Sequence, residues 1–276
     1  MSPEYGRGIA GRKTLADARR ETIDVDGDQI AVMARPGASP GVVWLGGYRS
    51  DMTGTKAEAL DQWAAASGRA SLRHDYSGHG ASGGAFADGT ISTWLKQSLA
   101  VFERFSTGPQ ILVGSSMGAW IALRMVQELR KAGQGDRLAG LVLIAPAPDF
   151  TVELMEPELT DEHRRQLAEQ GYMEEHSEYS PEPNIYTRAL FEDGRNNRVM
   201  DGLIETGCPV HILQGMADPD VPYTHAEKLM QHLPMSDVTL TLIRDGDHRL
   251  SRPQDIAMLI SAVEGLAALE QGRVQR

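Results

Sequence analysis

"PQILVGSSMGAW", residues 109–120, carries the decision about the fold. Ile111, Leu112 and Val113 form a short continuous apolar run that stops at Gly114, as a buried parallel strand does. From Met117 to about Lys131 the residues take on helical character. Between the two, Gly114-Ser115-Ser116-Met117-Gly118 fits the pattern G-x-S-x-G at a strand-to-helix corner, the setting of a nucleophile elbow. The glycines have a physical task. A turn sharp enough to push one side chain outward leaves no room for neighbouring Cβ atoms. Ser116 holds the projecting position, and Ser115 is expected to point away from it. The competing reading is an ordinary tight turn, and the rest of the chain decides between them.

Upstream, "ETIDVDGDQIAVMARPG" reads as a hairpin with Asp26-Gly27 at its turn. "GVVWLGG" (41–47) is a second buried strand that ends in glycines. A helix is predicted over 55–68, a strand then runs into the glycine loop of "RASLRHDYSGHG", and a helix over 92–105 has Ser92 or Thr93 as its cap. Downstream of the elbow, "LAGLVLIAP" (138–146) is the next strand. The repeating strand–helix order predicts an α/β fold: a mostly parallel open sheet with helices on both faces. From Pro148 the pattern breaks. Acidic clusters, the turn-rich "YSPEPN" and scattered apolar residues form no further β-α unit. The sheet resumes with "PVHILQG" (209–215), a helix over 225–233, the strand "VTLTLI" (238–243) and a last helix from about Pro253 to Glu270. The expected organisation is a leading arm (1–20), a core (21–147 and 198–276) and an inserted, mostly helical lid (148–197).

Composition narrows the function. The chain of 276 residues has a net charge of −11 and no basic stripe, which argues against a nucleic-acid partner. No apolar run approaches the ~20 residues that span a bilayer. One cysteine, Cys208, excludes an internal disulfide and fits a reducing compartment such as the cytoplasm. Cys208 reads as a buried residue at a strand edge. No metal-ligand motif is present, and the chemistry anticipated below needs no cofactor.

A serine hydroxyl is a poor nucleophile at neutral pH. It needs a histidine to take its proton and a carboxylate to hold that histidine in the right tautomer. On this kind of sheet the three follow one another as Ser, Asp, His, each after a strand. "LQGMADPDVP" supplies Asp218, with Asp220 as its rival, and "LIRDGDHRLS" supplies His248. Of the other histidines, His163, His176, His225 and His232 are expected to be solvated, and His74, His79 and His211 come too early in the order or lie within the sheet. Only His79, in "YSGHGASGG", stays as an outside candidate. The oxyanion of a tetrahedral intermediate needs two preorganised donors. The backbone N–H of Met117, at the start of its helix, is one. The loop "LGGYRSDMTGTK" offers the backbone N–H of Tyr48 as the second, with Gly46 and Gly47 allowing close approach.

With these residues in place the chain resembles the α/β-hydrolase superfamily. The strings "GYRSDMTGTK", "DYSGHGASGG", "GPQILVGSSMGAW", "GMADPDVP" and "DHR", in that order, are similar to the abhydrolase branch that holds a mitochondrial palmitoyl-protein thioesterase and acyl-glucuronide esterase. The likeness runs from about residue 40 to 260, is weakest in the lid, and departs at Gly46, where the branch has proline. The branch spacing Gly-x-x-Asp-x-x-Val-Pro selects Asp218 over Asp220. The resemblance implies a serine esterase or thioesterase with Ser116, Asp218 and His248 as triad, acting on a small-molecule ester or an acylated protein. Two other readings stand beside it: a proline-iminopeptidase-like peptidase, and a non-catalytic ligand-binding relative.

Overall fold

The computed structural model describes residues 17–177, 180–235 and 237–274. Its main sheet has eight strands: β1 (Arg19–Val25), β2 (Asp28–Arg35), β3 (Ala38–Leu45), β4 (Arg69–His74), β5 (Gln110–Ser115), β6 (Leu138–Ile144), and two later strands at Val210–Gly215 and Val238–Ile243. The first two strands form the predicted hairpin, and Asp26 and Gly27 both take positive φ (56° and 94°), as a two-residue turn of this hand requires. β1 starts at Arg19, so Arg19 and Arg20 belong to the sheet and not to the leading arm. Residues 1–16 of that arm lie outside the described residues.

The strands run as continuous apolar stretches because both faces of the sheet are covered. Val42 and Trp44 of β3, Ile111 and Val113 of β5, and Val142 and Ile144 of β6 pack on one side. There they meet Leu60 of α1 (Thr55–Ser67) and Leu259 and Leu266 of the last helix (Pro253–Val274). The alternate residues Val43, Leu45, Leu112, Leu141 and Leu143 pack on the other side. Their partners there include Trp94 of α2 (Ile91–Phe105) and Trp120 of α3 (Met117–Lys131). Period-two side-chain alternation thus feeds two cores at once. The cap of α2 is Thr90, whose hydroxyl accepts the Thr93 N–H at 3.2 Å, and not Ser92 or Thr93. Ser92 instead faces Asp193, with both its N–H and its hydroxyl donating to that carboxylate.

The segment between β6 and the next core strand holds α4 (Asp161–Glu169), β7 (Tyr172–Ser177), β8 (Ser180–Thr187) and α5 (Arg188–Asn196). Helix is expected here and helix predominates, but β7 and β8 pair as an antiparallel hairpin. Pro181 and Pro183 make β8 read as a turn. A two-stranded ribbon tolerates them because each strand has a free edge where no donor is needed. The base of the insertion is tied shut. Asp149, fully buried at φ 55°, accepts the Val199 and Met200 N–H groups at 2.8–3.1 Å. His225, expected to be solvated, is buried there with Nε2 at 2.9 Å from the Pro148 carbonyl. Completing the core are β9 (Val210–Gly215), α6 (Tyr223–Gln231), β10 (Val238–Ile243) and α7 (Pro253–Val274).

The sheet order is β1-β2-β4-β3-β5-β6-β9-β10, with the strands parallel from β4 to β10. From β3 the chain moves toward β4, and from β5 it moves toward β6. The crevice at the C-terminal ends of β3 and β5 is therefore the topological switch point, where ligands of such sheets bind.

Candidate active site

Ser116 stands at that switch point. Its backbone is at φ 54°, ψ −119°, a region that costs an ordinary residue of order 1–3 kcal/mol and persists only when the surroundings enforce it. They do so here. The Ser116 N–H donates to Ile144 O at 2.9 Å, and the Ser116 carbonyl accepts from Ala119 and Ala147. A Cβ at Gly114 would lie 2.4 Å from Gly118 O, and one at Gly118 would lie 2.1 Å from Leu45 O. Both glycines are therefore demanded by backbone contact. Ser115 is buried beneath the turn.

His248 and Asp218 come to Ser116 from loops after the last two strands. His248 Nε2 is 3.1 Å from Ser116 Oγ, and His248 Nδ1 is 2.9 Å from Asp218 Oδ2. The Asp218 side chain has no exposed surface, and the imidazole retains 18%. Oδ1 of Asp218 accepts the Asp220 and Val221 N–H groups, both at 2.9 Å, while Oδ2 also accepts Gln214 Nε2 at 3.2 Å. Asp220, the rival carboxylate, is exposed and contributes its backbone N–H to holding Asp218. Asp218, Asp220 and His248 lie close enough to suggest a cation site, but the four acceptor positions of Asp218 are already used.

Gly47 lies against the serine, since a Cβ there would sit 3.4 Å from Ser116 Cβ. The following residues form a tight loop in which the Ser50 N–H and hydroxyl both donate to Gly47 O, at 3.2 and 2.9 Å. Among the described residues, neither the Tyr48 nor the Met117 amide donates to a protein acceptor. The Tyr48 hydroxyl donates to Ile185 O of β8, and its ring stacks on Tyr186 with centroids 5.0 Å apart. Arg49 donates to Pro183 O. The hairpin of the insertion thus rests on the loop beside Ser116. Burial pushes the Tyr48 phenol far above its ordinary range, so it stays neutral. On the other side, Lys56 donates to the carbonyl of Arg249, next to His248, and burial lowers its ammonium to about 8.

Some residues at this site have no signature in the sequence. Gln214 sits at the end of an apolar strand, and its burial at a strand terminus is the only available hint. His79 is buried next to the Tyr48 loop instead of beside the serine. In the insertion, Arg164, Arg188 and Arg195 line a cleft of about 410 Å³ between α4 and α5, together with Glu192, Leu159, Leu167 and Phe191. The acidic majority of the insertion hides this local basic group.

A serine on a strained strand-to-helix corner, with an imidazole and a buried carboxylate behind it on a mostly parallel sheet, defines an α/β-type hydrolase. The chain belongs to the alpha/beta hydrolase family, whose model matches residues 36–259. It is 30% identical over 239 residues to the human mitochondrial palmitoyl-protein thioesterase ABHD10, covering 86% of this chain and 76% of that protein. The crystal structure of a protein from Agrobacterium vitis S4 is 61% identical, with a TM-score of 0.87 over 91% of this chain and 99% of that one. Mouse alpha/beta hydrolase domain-containing protein 10 is 28% identical, with a TM-score of 0.81 over 90% of this chain and 98% of that one. Among the described residues no helix is long and apolar enough to cross a membrane.

Proposed function

We propose that the protein is a serine hydrolase of carboxylic esters or acyl thioesters, working through an acyl-Ser116 intermediate. The observation that carries the reading is the continuous path Ser116 Oγ to His248 Nε2, and His248 Nδ1 to Asp218 Oδ2. Asp218 can only accept, so Nδ1 carries the proton and Nε2 keeps its lone pair toward the serine. As Oγ attacks the acyl carbon, its proton passes to Nε2. The carbonyl oxygen becomes an oxyanion facing the Tyr48 and Met117 amides. His248 then returns the proton to the departing oxygen or sulfur. Water repeats the sequence on the acyl-enzyme and frees Ser116 and the carboxylic acid.

The names of the thioesterase relatives favour an acyl thioester or ester over a peptide bond. Those relatives are named mitochondrial, so in a eukaryote the matching place is the mitochondrial matrix, and otherwise the cytoplasm. The insertion carries twelve carboxylates from Glu153 to Asp193, and their summed field opposes a polyanionic substrate. Steady-state kcat/KM for a matched set tests both points: an octanoyl ester, an S-octanoyl peptide, octanoyl-CoA and an amino-acid amide. The ester and the S-octanoyl peptide are expected to turn over, with octanoyl-CoA slower at low salt and the amide inert. Preference for the amide would replace this reading with a peptidase. Preference for the CoA thioester that fades with salt would make the arginine cleft part of the substrate site.

A further inference from the structure

His79 belongs to a motif that the reaction above leaves unused, yet its surroundings are highly specific. The ring is 3% exposed. It is packed among Phe86 at 5.0 Å, Trp94 at 5.2 Å, Tyr76 at 5.5 Å and Tyr48 at 6.5 Å between centroids. Both nitrogens are engaged. Nδ1 is 3.1 Å from Ser77 O, and the Arg49 N–H is 3.2 Å from Nε2. A carbonyl can only accept and an amide N–H can only donate. The tautomer is therefore fixed: Nδ1 carries the proton and Nε2 is a bare acceptor.

Arg49 directly follows Tyr48 and is held at φ 57°, a left-handed conformation that a long side chain rarely adopts. That twist aims the preceding peptide, and its N–H is what His79 grips. We propose that His79 is a positioning residue: as a neutral acceptor it pins the Arg49 amide and so holds the Tyr48 N–H toward the oxyanion of the acyl-transfer step. This rests on the reading of Tyr48 as an oxyanion donor under the proposed function.

Protonation of His79 would set an N–H against the Arg49 N–H and release the loop. Burial, together with the nearby Arg49 guanidinium, lowers its pKa, outweighing the opposing effect of the Ser77 carbonyl. The grip is then intact at neutral pH and lost only as pH falls through that lowered value. Among the described residues packed against the ring, Arg49 alone is charged. The Tyr48 and Tyr76 phenols are held neutral by burial, and Phe86 and Trp94 do not titrate.

Two substitutions separate positioning from simple packing. His79→Phe keeps ring volume and removes the acceptor. His79→Gln keeps an acceptor that does not titrate. With the octanoyl ester, His79→Phe is expected to lower kcat by ~10²–10³, the loss seen on removing one oxyanion donor, with KM little changed. His79→Gln should stay within about tenfold of wild type. The fall of kcat in acid should carry a contribution from His79 in wild type that is absent in His79→Gln. Hydrogen exchange of the peptide spanning residues 46–52, taken relative to the intrinsic rate at each pH, gives a readout independent of turnover: less protected in His79→Phe at all pH values, and less protected in wild type only in acid. Unchanged kcat and unchanged exchange in folded His79→Phe would overturn the proposal. Should His79→Phe fail to fold, an acid limb of kcat in His79→Gln unchanged from wild type would overturn it as well. If Ser116→Ala retained full turnover the proposed function would fall, while loop exchange in His79→Phe would still decide this proposal either way.

Discussion

Replacing Asp218 by Asn removes one charge and puts a donor where one carboxylate oxygen accepted, and the geometry dictates which oxygen. Oδ1 of Asp218 sits in front of two backbone donors, Asp220 N and Val221 N, each at 2.9 Å. An amide NH₂ cannot take that place without two donor–donor contacts. The Asn oxygen must therefore go there, and the NH₂ must replace Oδ2, facing His248 Nδ1 at 2.9 Å and the more distant Gln214 Nε2 at 3.2 Å. The imidazole then relieves the clash by moving its proton from Nδ1 to Nε2, where it points at Ser116 Oγ. A base that already carries its proton cannot take another. The structure around the site should survive, because the two backbone bonds that shape the loop are kept. The expected fall is ~10⁴ in kcat, equivalent to about 5.4 kcal/mol of barrier. Asp220→Asn is the control. Its side chain is exposed and its contribution to the loop is a backbone N–H, so kcat should stay within about threefold. The assay is release of p-nitrophenol from the octanoyl ester at neutral pH, with circular dichroism to confirm folding. A folded Asp218→Asn enzyme within tenfold of wild type, or an Asp220→Asn enzyme as crippled as Asp218→Asn, would refute the reasoning.

Tyr48→Phe removes the hydroxyl bond to Ile185 O, a net ~0.5–1.5 kcal/mol, but keeps the ring stacked on Tyr186 and the backbone N–H, so kcat should fall no more than about tenfold. Activity as low as that of Ser116→Ala would instead assign the hydroxyl to the chemistry. Gly118→Ala would drive a Cβ against Leu45 O and Gly46 O, at 2.1 and 2.5 Å. Because both are rigid backbone atoms, melting curves should show a loss of ~1–3 kcal/mol, with catalysis reduced alongside. Wild-type activity and stability together would mean that the elbow is looser than described. His74 is buried and its pKa is lowered to about 4. The folded state keeps it neutral, so its contribution is complete above the unfolded value near 6.5 and is lost as pH falls toward 4, by ~3 kcal/mol in all. His74→Gln should flatten the dependence of Tm on pH across that window, and an unchanged curve would count against it.

What could be read in the sequence was whatever depends on chain order and local sterics. A run of apolar residues that ends in glycine fixes where a strand stops, and Ser116, Asp218 and His248 each stand just past such a stop. The paired strands and the covering helices follow from the same periodicity. The residues that escaped are those defined by three-dimensional neighbours. Thr90 caps α2 because the hydroxyl that reaches the Thr93 N–H is set by backbone angle, and several hydroxyls stand nearby in sequence. His225 looks like a solvated helix residue until the Pro148 carbonyl is placed over it. The β7–β8 hairpin has two prolines and no alternating pattern, so only its pairing reveals it. Gln214 and His79 act by holding other groups, through partners 4 and 30 residues away, and a single sequence carries no mark of such contacts.

The central claim is that acyl transfer passes through Ser116. It can be observed directly by mixing the enzyme with excess p-nitrophenyl octanoate, quenching with acid within the first turnovers, and mapping the digested protein by mass spectrometry. The expected result is a burst of p-nitrophenol matched by one octanoyl group on the peptide containing Ser116, with neither burst nor adduct in Ser116→Ala. An octanoyl group on a different residue, or sustained turnover by Ser116→Ala, would contradict it.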